Sequence, residues 1–152
     1  MGMSGETVHA SAVLVGARAV LIRGPSGSGK SRLALELIEA GRSGLLRFAR
    51  LVGDDRVHLK TAGGRLLASP PDAIAGLIEV RGVGLMPMAY EACAVVGLVV
   101  DLAAADAERL PNSDRRRTVI AGVALPRLPV APAVAALPSV LALINSTADG
   151  RT

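Results

Sequence analysis

Ala19-Val20-Leu21-Ile22-Arg23-Gly24-Pro25-Ser26-Gly27-Ser28-Gly29-Lys30-Ser31 is the stretch from which the rest of the chain can be placed. Its apolar start reads as a strand, Ala19–Arg23. From Ser31 to Ala40, Leu33, Ala34, Leu37, Ile38 and Ala40 recur at three-to-four spacing, which predicts an amphipathic helix with Gly41 as its stop. The glycines Gly24, Gly27 and Gly29 let the backbone between them fold so that successive N–H groups converge on phosphate oxygens. The helix N-terminus adds its positive end at the same place. In a loop of this pattern, Gly24-Pro25-Ser26-Gly27-Ser28-Gly29-Lys30-Ser31, Lys30 reaches the β and γ phosphates of a nucleoside triphosphate and the Ser31 hydroxyl ligates Mg²⁺. The bare pattern arises by chance in very roughly one chain of this length in several hundred, and the flanking strand and helix make chance a poor account.

Outward from the loop, short β-type runs dominate: Ala12–Val15, Arg50–Val52, Val57–Lys60, Arg65–Ala68, Leu77–Val80, Val95–Asp101 and Thr118–Ala121. Their spacing predicts hairpins with at most one or two crossovers. A second helix is expected over Ala133–Ile144, opened by Pro132 and interrupted by Pro138, which kinks or restarts it. The fold class is therefore α/β, a mixed sheet with few helices around a phosphate loop, and residues 1–152 read as one domain. Phe48 and Tyr90 are the only aromatic residues, so the base-stacking surface of a single-strand nucleic-acid binder is missing. The net charge of +4 is spread along the chain, and Arg115-Arg116-Arg117 reads as a solvated loop. The lone Cys93 reads as a small buried residue, no apolar run reaches the roughly 18–20 residues of a membrane span, and a cytoplasmic protein is expected.

Two charged constellations follow the loop. Leu51-Val52-Gly53-Asp54-Asp55-Arg56-Val57 sets adjacent acids between apolar runs, where an extended chain turns them to opposite sides. One acid would then face the phosphates as base or metal partner, while the other holds the turn or pairs with Arg56; two acids capping a surface hairpin fit the spacing equally. In Ile78-Glu79-Val80-Arg81-Gly82-Val83-Gly84-Leu85, Glu79 and Arg81 alternate with core-facing Ile78 and Val80, and Gly82 and Gly84 permit a tight bend. A cross-strand ion pair would explain Glu79 and Arg81 as well. His9 and His58 are unassigned by spacing, and two histidines with one cysteine make a zinc site a poor reading.

Taken together, His9 before a strand, the loop with Leu33-Ala34-Leu35-Glu36-Leu37-Ile38 after it, Val52–Val57 and Ile78–Leu85 resemble the catalytic domain of the HPr kinase/phosphorylase family over about residues 8–135. The resemblance implies a fold of the HPr kinase/PEP carboxykinase type and an ATP- and Mg²⁺-dependent kinase that phosphorylates a serine of the phosphocarrier protein HPr, with no nucleic-acid or membrane partner and a homo-hexameric assembly. By position, Lys30 would neutralise the transferring phosphate, and Ser31 and Glu79 would hold Mg²⁺. Asp55 would accept the serine proton, supported by Asp54 and Arg81. His9 matches the family's active-site histidine, and Arg109 its downstream catalytic arginine.

The departures carry their own expectations. The family's long N-terminal regulatory domain has no counterpart here, which implies a minimal form. Ala10 and Arg32 stand where the family usually has Gly and Glu. Pro129-Val130-Ala131-Pro132-Ala133-Val134 lacks both arginines of the family's Pro-Val-Arg-Pro-Gly-Arg-Asn segment, which is linked to dephosphorylation by phosphate attack, so weak or absent phosphorolysis is expected. A phosphate-loop small-molecule kinase and an ATP-sensing module without turnover are the alternatives.

Overall fold

The computed structural model describes residues 5–108 and 112–148. In chain order its strands are β1 (Gly5–His9), β2 (Ser11–Val15), β3 (Arg18–Arg23), β4 (Ala49–Gly53), β5 (Arg56–Ala62), β6 (Arg65–Ser69), β7 (Leu77–Val80), β8 (Gly84–Pro87), β9 (Ala94–Asp101), β10 (Arg117–Ile120) and β11 (Val123–Pro129), with helices α1 (Lys30–Arg42) and α2 (Leu137–Ala148). Nine strands form one sheet along the path β1-β5-β6-β9-β3-β2-β4, to which β11 adds through β9 and β10 through β11; β7 and β8 make a separate ribbon. Strand β9 is the axis of the sheet. It runs parallel to β3 on one edge, while its start pairs with β6 and its end with β11 on the other.

Alternation along the central strands divides the core in two. Val13, Val20, Ile22 and Val100 face α1 and α2, whose Leu33, Leu37, Ile38 and Val140 complete that layer. Ala12, Leu21, Val52 and Val99 face the other way, into a cluster with Val57, Leu59, Leu66 and Ala68 of β5 and β6. Residues of β5 and β6 can meet those of β3 because the sheet curls on itself. The curl is made where β1 passes into β2 through Ala10 alone, opposite the point where β4 passes into β5 through Asp54 and Asp55. Each fully buried Leu or Ile in these layers contributes about 1.5–3 kcal/mol.

The strand expectations hold to within a few residues, and β1, β8 and β11 are additions. Both helices differ at an end. Helix α1 runs through Gly41 to Arg42, and the turn comes at Gly44, whose φ is 88°. Gly41 is there for contact: a Cβ would lie 2.9 Å from both the Cβ and the N of Ala49. Helix α2 begins at Leu137, so Pro138 sits in its first turn, where its missing N–H costs nothing, and introduces no kink. Cys93 is exposed and not a core residue.

Candidate active site

Strand β3 delivers Arg23 and then the loop 24–31, and α1 starts at Lys30. Gly27 and Gly29 have φ of 82° and 102°, in the left-handed region that favours glycine, and Gly29 caps α1. Gly24 is required for space, since a Cβ there would come within 2.5 Å of Ser28 Oγ and 3.1 Å of Leu102 Cβ. The Lys30 ammonium donates to the carbonyls of Gly24 (2.9 Å) and Pro25 (3.2 Å), drawing the side chain back over its own loop. Ser28 Oγ is buried with no hydrogen-bond partner among the described residues, a cost that persists at functional loops.

The two adjacent acids do separate work. Asp54 is 3% exposed and accepts three donors: Ser31 Oγ at 2.7 and 2.8 Å, Ser11 Oγ at 2.6 Å, and the backbone N–H of Glu79 at 2.9 Å. It thereby ties the loop serine, the β1–β2 corner and β7 together. The next residue points out. Arg56 N–H bonds Asp54 C=O at 2.7 Å around Asp55, whose φ is 70°, a tight γ-turn of the strained kind. Strain of this sort on a non-glycine residue costs about 1–3 kcal/mol and gathers at functional sites. The Asp55 side chain is 71% exposed, lies 3.9 Å from Arg56, and lines an open cleft of about 970 Å³ with His9, the loop, Arg32, Glu79 and Arg81.

His9, Lys30, Ser31, Asp55, Glu79 and Arg81 are thus brought to one cleft, and Asp54 supports it from beneath. Arg109 lies outside the described residues. No ion pair joins Glu79 and Arg81 among the described residues, and Gly82 and Gly84, at φ 83° and 114°, make the predicted bend. Among the described residues no three His, Cys, Asp or Glu side chains converge as a metal cage. A phosphate-bound Mg²⁺ fits this arrangement, because such ions take only one or two protein ligands beside the phosphates and keep several waters. A second cleft, about 740 Å³ and at the opposite end of β3, is lined by Val15, Leu46, Phe48 and Leu98, and holds none of the site residues.

The loop's base carries a cluster that sequence reading missed. Arg23 donates twice to Asp101 (2.7 and 2.9 Å), Arg127 donates to the same carboxylate (2.5 Å), and Arg127 grips Asp106 with two further bonds (2.8 and 2.9 Å). Burial pushes Asp101 toward protonation, but the hydrogen bonds and charges of Arg23 and Arg127 outweigh it and hold the carboxyl below its ordinary range. Asp106 chiefly, with Asp101, holds the Arg127 guanidinium still more firmly charged than usual. A charged residue ending the apolar run of β9, with Arg23 ending that of β3 just before the loop, was the available signal.

Residues 3–148 match the family model for the HPr serine kinase C-terminal domain. The chain belongs to that family. HPr kinase/phosphorylase of Brevibacillus brevis is 44% identical over 81 residues, 53% of this chain and 24% of the relative. That of Clostridium tetani is 40% identical over 90 residues, 55% of this chain and 27% of the relative. The matches to these curated relatives thus span about a quarter of their length. The solved HPr(Ser) kinase/phosphatase of Coxiella burnetii superposes with a TM-score of 0.75 at 25% identity, covering 94% of this chain and 90% of that one. The HPr kinase family accounts for the curled mixed sheet with few helices and implies the use of a nucleotide.

Proposed function

We propose that this HPr kinase-family domain transfers the γ-phosphoryl group of ATP to a serine hydroxyl of an HPr-type phosphocarrier protein, in the cytoplasm and as a homo-oligomer, with the family's hexamer as the specific expectation. The observation that carries the reading is the division of labour between neighbouring acids: Asp54 buried on the loop serine, Asp55 turned out into the cleft beside the loop. Family membership supports the acceptor.

When bound, ATP and Mg²⁺ supply the phosphoryl group and the metal's neutralisation of its developing charge. The loop N–H groups and Lys30 bind the phosphates. Ser31, its proton committed to Asp54, offers its oxygen lone pairs to the cation, with Glu79 as the second candidate ligand. Asp55 accepts the proton of the incoming hydroxyl, a role that needs only a free carboxylate within about 3 Å of that oxygen in the complex. His9 and Arg81 line the same cleft and orient the acceptor and the phosphates, and Arg109 is proposed as a further cation from the family pattern.

The test is γ-labelled ATP with Mg²⁺ and an HPr-type carrier, beside a carrier whose acceptor serine is alanine. Label on the first alone supports the reading. Label on a small metabolite instead, or tight nucleotide binding without transfer, contradicts it.

A further inference from the structure

Among the described residues the fully buried polar or charged side chains are two, Ser11 (0% exposed) and Asp54 (3%), in a core otherwise of aliphatic residues. They are bonded to each other, Ser11 Oγ donating to Asp54 Oδ1 at 2.6 Å. A buried polar pair is costly unless satisfied, so its presence in an aliphatic core needs a reason beyond packing. Its location supplies one. Ser11 opens β2 at the corner where the sheet curls, and consecutive residues of that corner hold consecutive acids: the Ala10 N–H binds the Asp55 carbonyl at 3.2 Å, and the Ser11 hydroxyl binds the Asp54 carboxylate.

We infer that Ser11 is a positioning residue for the metal half of the site, fixing Asp54 so that Asp54 in turn fixes the Ser31 hydroxyl. This rests on the nucleotide and Mg²⁺ reading above. A hydroxyl has one proton, and a hydroxyl that ligates a cation must direct that proton elsewhere. Here the Ser31 proton lies on Asp54, leaving the oxygen lone pairs for the cleft. The Asp54 carboxylate is held by two other donors, Ser11 Oγ on Oδ1 and the Glu79 N–H on Oδ2, one on each oxygen. Removing the first leaves the carboxylate anchored at Oδ2 alone, able to pivot about that bond, and lets the Ser31 proton swing toward the cation position. Ser11 is fully buried and does not line the cleft, so its influence on the site passes through Asp54.

The experiment compares wild type, Ser11→Ala and Ser11→Thr, measuring affinity for a non-hydrolysable ATP analogue in EDTA and in saturating Mg²⁺, with thermal unfolding as a check on the fold. Ser11→Ala is expected to bind the analogue in EDTA within about twofold of wild type and to lose about tenfold of the Mg²⁺-dependent gain, the usual scale for outer-shell partners of a metal ligand. Ser11→Thr, which keeps the hydroxyl, is expected to keep most of the gain. Should Ser11→Ala fail to fold, Ser11→Cys retains the volume with a weaker donor and must show the same selective loss. A full Mg²⁺ gain in the folded hydroxyl-free variant, or an equal loss in EDTA and in Mg²⁺, overturns the assignment while leaving the nucleotide reading intact. A wild type without any Mg²⁺ gain overturns both.

Discussion

Asp101 ends β9 with one carboxylate shared by Arg23 of β3 and Arg127 of β11, and it is 15% exposed, so the three strand ends beneath the phosphate loop are joined through a largely dry charge. Taking away one partner of such a group leaves the other charges uncompensated, typically at about 3–5 kcal/mol. Asp101→Asn is therefore expected to lower stability at pH 7 by about 2–4 kcal/mol, somewhat under that range because Asn still accepts a hydrogen bond. The sign with pH follows from the depressed carboxyl: its contribution is fully present above the ordinary value of 3.8 and is lost as pH falls through the lower folded value. The gap between denaturant titrations of the two proteins should begin to close only as pH falls below about 4 and go on closing toward the lower folded value; a gap that stays constant into acid would show that the charge is not the source. Lys30 and Ser31 were legible in the sequence because a fixed local spacing defines them. Ser11 and Asp101 were not, because their partners lie 43 and 78 residues away and only the curled sheet brings them together.

Helix α1 places the loop by lying flush on β4, and Gly41 is the residue that allows it. Ala at this position gains about 0.5–1 kcal/mol of helix propensity but drives a Cβ to 2.9 Å from backbone and side chain of Ala49. Overpacking of this kind costs about 1–3 kcal/mol, and the net expected for Gly41→Ala is a fall in Tm of several degrees, with the nucleotide's stabilising increment retained. A melt at or above wild type would mean that the helix can shift away from β4. The periodicity of 33–40 revealed α1, yet Gly41 read as a stop because a glycine needed for contact and one needed for a turn look alike in sequence. Strand β11 was hidden by Pro126 and Pro129, which remove ladder donors; it joins the sheet through a short parallel pairing of Arg127–Pro129 with β9. The β7–β8 ribbon was half legible: β7 alternates, whereas β8 is exposed along its length and carries no burial pattern.

Across the whole molecule, the curl gathers segments from 9 to 81 around one cleft, while the stretch after β11 runs past the end of β9: Val130 N–H binds the Asp101 carbonyl, and the Val130 carbonyl accepts from Ala104. Pro129–Val134 brings no cation to that edge. An attacking inorganic phosphate needs cations to hold it, so phosphorylated carrier incubated with the protein, Mg²⁺ and phosphate should release pyrophosphate slowly or not at all; release as fast as the forward reaction would refute this. The mixed sheet and the loop were readable from local pattern, but the curl was not, since it depends on β1 and β4 bending at matched points. The most direct measurement of the central claim is Asp55→Asn in the labelling assay with γ-labelled ATP and the carrier. Nucleotide affinity should stay within about twofold, and transfer to the serine should fall by about 10²–10⁴-fold, the range for loss of a positioned base. Transfer at the wild-type rate would contradict the account.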